Sequence, residues 1–327
     1  MTRRAIAAIA GAVLAVAGAA CEASPLEGDA VVDRAAVDAA DASGRPPGSI
    51  LVRRVLRGTP RADGALLEVG RGGEVTRVGR ASCKRVHASV AGPALCLTRS
   101  YNGIDYDGVV LDEDYREVTR FPVEGVPDRA RVSSDGRYGA YTSFDRSGSR
   151  GYFESTRDFT TYTRIVDMRD GRELLRLEEL RVTRGGTPVP HAGAELWGVT
   201  FATAGRYFAT LASDGEHLLI AGRVGSTRAR VLRAGIECPA VSPDGTRIAY
   251  KRRIGALNRW RLHVERIDGT GAVALAESRS IDDQPEWLSD DRIAYSDDRA
   301  TFAVPADGSG SPELLAALTT SPSRLAR

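Results

Sequence analysis

One short phrase recurs along the chain at a spacing that leaves few folds open. Its clearest copy is Ser242-Pro243-Asp244-Gly245-Thr246-Arg247-Ile248-Ala249-Tyr250, a tight Asp-Gly turn leading into a strand with a small residue near its centre and an aromatic at its end. Further copies read Ser133-Ser134-Asp135-Gly136-Arg137-Tyr138-Gly139-Ala140-Tyr141, the eroded Ala204-Gly205-Arg206-Tyr207-Phe208-Ala209, Asp291-Arg292-Ile293-Ala294-Tyr295 and the weak Gly92-Pro93-Ala94-Leu95. The alanines fall at 94, 140, 209, 249 and 294, so successive copies lie 46, 69, 40 and 45 residues apart. A period in the forties with several strand signals per unit belongs to a β-propeller blade, and the longest step is one blade carrying an insertion.

The chemistry of the phrase agrees with that reading. Asp-Gly supplies the positive-φ residue that a hairpin turn needs, and the aspartate hydrogen-bonds its own backbone. The small residue belongs where neighbouring blades press together, because a blade is buried on both faces and has little room near the axis. Replacing Ala249 with Leu is therefore expected to overpack the site, at about 1–3 kcal/mol.

Pro239 ahead of Ser242-Pro243-Asp244-Gly245, and Pro285-Glu286-Trp287 ahead of Asp290-Asp291-Arg292-Ile293-Ala294-Tyr295, extend the match to a repeat of the form Pro-x-Trp-Ser-x-Asp-Gly-x-x-Ile-Ala-Tyr. Through these residues the chain resembles the TolB-like propellers. The resemblance covers residues 83–316, is strong in the last two repeats, and is degenerate in the first and third. It implies a fold, not a reaction.

Ahead of the first repeat, Ile50–Leu56, Ala65–Val69 and Glu74–Val78 read as three strands separated by Gly-containing turns, which brings the count to six blades. Their limits are 48–80, 81–123, 128–181, 195–234, 236–278 and 282–318. The first unit shows only three strands, so a strand from the C-terminal end or from the stretch before Ser49 must complete it, and closure removes the open sheet edges. The expectation is an all-β chain: a six-bladed β-propeller of four-stranded antiparallel blades over 48–318, preceded by a signal peptide over 1–20 and a disordered tether over 21–47, with 319–327 as a tail or ring-closing strand.

The leader reads Met1-Thr2-Arg3-Arg4, then a small and apolar run from Ala5 to Ala20. That is a secretory signal, too short to span a membrane. Gly18-Ala19-Ala20-Cys21 looks like the cleavage box of bacterial lipoproteins, which would make Cys21 the lipid-bearing first residue of the mature chain. Gly18 departs from the aliphatic residue usual there, and an ordinary signal peptide cleaved near Ala20 is the alternative. Arg3-Arg4 hints at a twin-arginine signal but lacks the rest of that motif. Residues 22–47 are acidic, poor in large apolar groups and close on Pro46-Pro47, the composition of a tether. The expected location is the bacterial cell envelope, on the periplasmic or outer-membrane side, held by lipid on Cys21.

Residues 1–47 take four of the 45 basic and six of the 43 acidic side chains, which leaves the rest of the chain only weakly positive and without a nucleic-acid signature. Only Lys84 and Lys251 among the basic residues are lysine, a bias attributed to a GC-rich genome and carrying no function at this level. Export permits disulfides. Cys83 and Cys96 flank the Ala91-Gly92-Pro93 turn and are placed to face each other across adjacent antiparallel strands; a one-residue slip would turn one thiol away, so both outcomes stay open. Cys238 is left as a small buried side chain.

Catalytic machinery is sparse. His87, His191, His217 and His263 fall on different blades without metal-ligand spacing and read as surface or packing residues. Gly148-Ser149-Arg150-Gly151 lacks the frame of a nucleophile elbow. Gly269-Thr270-Gly271-Ala272-Val273-Ala274 opens a strand, not the helix a dinucleotide site needs. The pairs Asp112/Asp114, Asp282/Asp283, Asp290/Asp291 and Asp297/Asp298 lack a calcium-loop pattern and read as solvated turns. No catalytic, metal or cofactor residue is assigned, and no cofactor is expected.

One segment exceeds what the fold requires: the third-blade insertion from Phe144 to Arg164, where Tyr152, Phe153, Phe159 and Tyr162 interleave with Arg150 and Arg157. Aromatics with arginine anchor protein interfaces, whereas a long hairpin covering its own blade edge is the structural alternative. Arg184–His191 reads as a loop of the same blade. The function expected is that of a monomeric, non-enzymatic envelope lipoprotein whose propeller face binds a partner protein or peptide. The alternatives are a hydrolase, lyase or sugar-acting enzyme sited in the channel, recognisable by two or more carboxylates, or a histidine with a carboxylate, converging within about 5–10 Å at the channel mouth, or a small-ligand sensor.

Overall fold

A computed structural model describes residues 46–55, 63–145, 160–190, 195–255, 259–297 and 299–326. The leader, Cys21 and the tether up to residue 45 lie outside the described residues, as do Arg150, Tyr152, Phe153, Arg157 and Phe159 of the third-blade insertion.

The described residues form six sheets arranged as a closed ring. From the axis outward, the first blade holds Thr319–Arg324, Ile50–Arg54, Ala65–Val69 and Val75–Ser82; the second holds Arg85–Ala88, Ala94–Arg99, Tyr106–Leu111 and Glu117–Val123. The third holds Val126–Val132, Tyr138–Phe144, Thr161–Asp167 and Glu173–Arg176, and the fourth has Glu195–Phe201, Arg206–Ser213, Glu216–Arg223 and Arg228–Ala234 as its four main strands. The fifth holds Glu237–Val241, Arg247–Arg253, Trp260–Arg266 and Val273–Ala274, and the sixth Glu286–Ser289, Arg292–Ser296, Ala300–Pro305 and Glu313–Ala317. The C-terminal strand completes the first blade by pairing antiparallel to the N-terminal one, Ile50 opposite Arg324 and Arg54 opposite Thr319. The six innermost strands touch one another in a closed circuit around the axis.

The repeated phrase explains itself in this frame. Ala94, Ala140, Ala209, Ala249 and Ala294 all lie on the second strand of a blade and are at most 1% exposed. Side chains alternate across a strand, so the core divides into layers between consecutive blades. Ala249 packs with Leu262 and Val264 against Trp287, Ile293 and Tyr295 of the sixth blade. Its neighbours Ile248 and Tyr250 face the other way, onto Phe208 and Leu219 of the fourth. The turn is equally determined: Ser242 Oγ accepts from Arg247 N–H at 2.9 Å and donates to Asp244 Oδ1 at 2.5 Å, while Gly245, at φ 70°, donates its N–H to Ser242 O at 2.9 Å. The terminal tyrosines end on buried carboxylates, Tyr250 Oη on Glu265 at 2.7 Å and Tyr295 Oη on Glu277 at 2.5 Å.

The fourth blade departs from expectation. Arg181–Arg184 pairs parallel with Arg228–Ala234, and Thr187–Pro188 folds back on it, so the stretch expected as a third-blade loop instead extends the outer edge of the fourth sheet. Burial supplies the reason: Leu177, Leu180 and Val182 anchor the segment in the layer shared by the third and fourth blades. The added strand also covers an edge that would otherwise offer unpaired backbone groups. Among the described residues no helix is long and apolar enough to cross a membrane.

Antiparallel pairing fixes the two faces of the ring. The connectors between blades emerge beside the turns joining second to third strands, and we call this the connector face. The Asp-Gly turns emerge on the opposite, turn face.

Candidate functional site

The channel is lined by the innermost strands and filled with charge. At the connector face, Asp128 is held by Arg129 Nη1 at 2.5 Å and by Arg85 Nη2 at 3.4 Å, and Arg85 also reaches Asp283 at 3.6 Å. Burial pushes the Asp128 carboxyl up, but Arg129 and Arg85 outweigh it and hold the group below the usual carboxylate range. Lys251 pairs with Asp282, lies 3.9 Å from Glu237, and sits 4.4 Å above the Trp260 ring. Glu237 also accepts from Trp260 Nε1 at 2.9 Å and lies 2.7 Å from His217 Nδ1, and His217 meets the Trp197 ring edge-on at 5.4 Å. Deeper in, Gln284 Nε2 donates to the carbonyls of Val199 and Pro239 at 3.1 and 2.8 Å, tying the inner strands of the fourth and fifth blades to the segment that leads into the sixth. Cys238, fully buried at φ 49°, is a free thiol whose pKa burial pushes up.

Toward the turn face the axis is closed by His87, Arg131 and Glu286, each under 9% exposed. Val132 N–H donates to His87 Nδ1 at 3.0 Å, which places the imidazole proton on Nε2, and that nitrogen faces Glu286 Oε2 at 3.2 Å. Arg131 Nη1 pairs with the same carboxylate, while Nη2 donates to Pro285 O at 2.9 Å. Burial, reinforced by the Arg131 charge, keeps the imidazole pKa below its ordinary value. Against its own burial, the Glu286 carboxyl is drawn down to about 2 by Arg131 and His87. Below this network lies a cavity of about 100 Å³, lined in part by Ser89, Ser134, Thr200, Ser242 and Trp287. It has room for a few waters and is well short of a ligand pocket of several hundred Å³.

His87 and Asp282/Asp283 correct the sequence reading. His87 is neither a surface nor a packing residue but a hydrogen-bonded member of a buried charge network, and Asp282/Asp283, although Asp282 stays exposed, form ion pairs with Arg129, Lys251 and Arg85 at the channel mouth. The proximity of His87 to Glu286 meets the geometric condition set for a channel enzyme; yet both ring nitrogens are engaged, and among the described residues no hydroxyl or thiol is hydrogen-bonded to the imidazole. Asp112, by contrast, is a turn residue that accepts from the N–H groups of Asp114 and Arg116.

Cys83 and Cys96 are joined, with a Cα separation of 5.4 Å. They are not opposed in register, because Cys96 pairs with Val86; Cys83 precedes the strand, so the bond ties the connector between the first two blades to the second blade. Of the predicted insertion residues, Tyr162 is described: it lies on the third strand of the third blade, with Arg164 over its ring at 5.5 Å.

The sequence matches no protein-family model and no curated protein. Solved structures are similar in fold: TolB of Acinetobacter baumannii at 14% identity and TM-score 0.55, covering 84% of this chain and 66% of that one, and a TolB-type protein of Agrobacterium tumefaciens at 14% and 0.50, covering 82% and 87%. A chain of the nidogen/laminin complex gives 9% and 0.54, covering 84% and 97%. The chain thus spans slightly less than two thirds of the length of the Acinetobacter protein. The likeness is one of architecture, and the chain folds as a six-bladed β-propeller of the kind found in TolB proteins.

Proposed function

We propose that this is a non-enzymatic envelope protein, exported and held to the membrane by lipid on Cys21, whose connector face binds a partner protein or peptide. The observation that carries the reading is the channel mouth on that face. Trp197, Trp260, His217, Arg85 and Asp282 gather at that end of the strands, with buried Lys251 against the Trp260 ring, an aromatic and charged set on a rigid frame. Such side chains anchor protein interfaces. Phe144 and Thr161, the strand ends on either side of the third-blade insertion, lie on the same face. The TolB likeness is compatible with a partner-binding propeller but rests on fold alone.

The test is crosslinking capture from envelopes carrying the native protein, a Trp260→Ala variant, or a version with residues 144–164 shortened to a Gly-Ser turn, all shown to be equally stable. Loss of one specific partner with either variant supports the reading, and an identical catch from all three removes the connector face from it. Cys21→Ser tests the anchor separately: metabolic labelling with palmitate should be lost and the protein should move to the soluble fraction.

A second reading has one observation behind it, the His87–Glu286 pair above the turn-face cavity. A hydrolase, lyase or small-ligand sensor sited there would lose all turnover or binding with His87→Gln.

A further inference from the structure

The connector-face mouth carries an ammonium group that its surroundings do not neutralise. Lys84 stands immediately before the inner strand of the second blade, exposed to solvent, and among the described residues it forms no ion pair or side-chain hydrogen bond. Arg53, Arg85 and Arg99 crowd it, and Asp128 is the carboxylate whose charge reaches it. Asp128 is already engaged by Arg129 and Arg85, and Arg53 by Asp63 at 3.0 Å. Arg99 donates to Gly103 O at 3.1 Å and lies over the Tyr106 ring, and among the described residues it has no carboxylate partner. The Lys84 side chain is exposed to solvent although protein groups flank it. Burial and the charges of the flanking arginines, Arg85 foremost, hold its pKa below the ordinary lysine value.

The backbone beneath this group is pinned. The Cys83–Cys96 bond fixes the preceding residue, Arg53 Nε donates to Cys83 O at 2.6 Å, Lys84 N–H donates to Leu97 O at 2.7 Å, and Thr98 Oγ1 donates to Ser82 O at 2.8 Å. A cation without an ion-pair partner, crowded by like charges and standing on a preorganised support, gains from an incoming anion. Asp128 and Asp283, both within reach of Arg85, offset part of the surrounding positive charge, which leaves Lys84 as the cation that an incoming carboxylate would answer.

We infer that the seam between the first and second blades binds a carboxylate of an acidic peptide segment, with Lys84 as the direct contact and Arg53, Arg85 and Arg99 supplying the surrounding field. This rests on the partner-binding reading and gives that face a chemistry.

The chain offers its own probe, because Lys84 and Lys251 are its only lysines. Isotope labelling of lysine therefore gives two side-chain Nζ signals. Tetraglutamate added at low salt should shift the Lys84 signal saturably and raise its pKa, leave the Lys251 signal in place, and lose its effect at high salt. Tetraglutamine should do nothing. Lys84→Gln should weaken tetraglutamate binding roughly five- to tenfold, and Lys84→Arg should largely restore it. The inference is overturned if the peptide binds without moving Lys84, if it does not bind, or if inorganic phosphate moves Lys84 at lower concentration than the peptide. Capture of the same partner by native protein and by Lys84→Gln would leave the connector-face reading standing and remove Lys84 from it.

Discussion

The two ends of the channel hold charge on the propeller axis in opposite ways. At the turn face, His87, Arg131 and Glu286 are buried and engage one another, with Val132 N–H and Pro285 O taking up further valences. At the connector face, Lys84 is exposed and unpaired, and Asp282 keeps 42% of its side chain open to solvent. A closed network in a low-dielectric site is costly to disturb and has little left to offer a ligand. The connector end has its own buried pairs around Lys251 and Arg129, but an exposed cation such as Lys84 has little to lose and much to gain. The first end is thus chiefly structural, and the second is the end at which the proposed recognition would take place.

The largest expected effect lies at the closed end. Glu286→Gln leaves the buried Arg131 guanidinium without its anion and should cost about 3–5 kcal/mol in urea unfolding. A loss below 1 kcal/mol would mean that the network is not what closes the axis, and the contrast between the two ends would fail. The pH dependence has a determined sign. Glu286 titrates near 2 in the fold and near 4.3 when unfolded, so its contribution is present above about 4.3 and is lost as pH falls toward 2. His87 is held below the ordinary imidazole value of about 6.5, so the unfolded chain takes up its proton first and stability declines as pH drops below that value. His87→Gln should flatten this upper part of the profile and leave the lower part.

A smaller effect is expected beneath the open end. Cys83 and Cys96 close a loop with a sequence separation of 13, and replacing both with Ser should cost about 2–3 kcal/mol. The comparison is sharpened by what else changes: the Lys84 Nζ signal should broaden or move, because its support is loosened, while Lys251 stays as it was. A stable double variant with an unchanged Lys84 signal would show that the other hydrogen bonds suffice to hold the mouth.

What could be read in advance follows the range of the interactions. The Asp-Gly turns, the alanines and the terminal tyrosines are local or depend on the next blade, so a repeated phrase records them. The channel is assembled over long distances: His87 and Glu286 are 199 residues apart, and Arg131 and Glu286 are 155 apart. No repeat encodes those pairs, because each blade contributes a different charge to the axis. A weak signal existed in Arg129 and Arg131, two alternating charges on an inner strand beside Val126, Ala130 and Val132. The two lysines carried another, hidden by an arginine bias that made them look like chance. The strand Arg181–Arg184 escaped because its partner is parallel and Gly185-Gly186 follows it, which reads as a loop.

The lysines give the finest test of the contrast. Lys251 is buried, paired with Asp282, and close to Glu237 and the Trp260 ring, so Lys251→Gln strips counter-charge from carboxylates inside the channel and should cost about 1–3 kcal/mol. Lys84 has no such partner, and Lys84→Gln relieves repulsion from Arg53, Arg85 and Arg99, so its stability should stay within about 0.5 kcal/mol of native or rise slightly. Urea midpoints of the two variants measured side by side decide the matter. Equal losses would mean that Lys84 is a structural cation like Lys251. A loss confined to Lys251→Gln would leave Lys84 as a charge that folding does not require, held in place at the mouth of the channel.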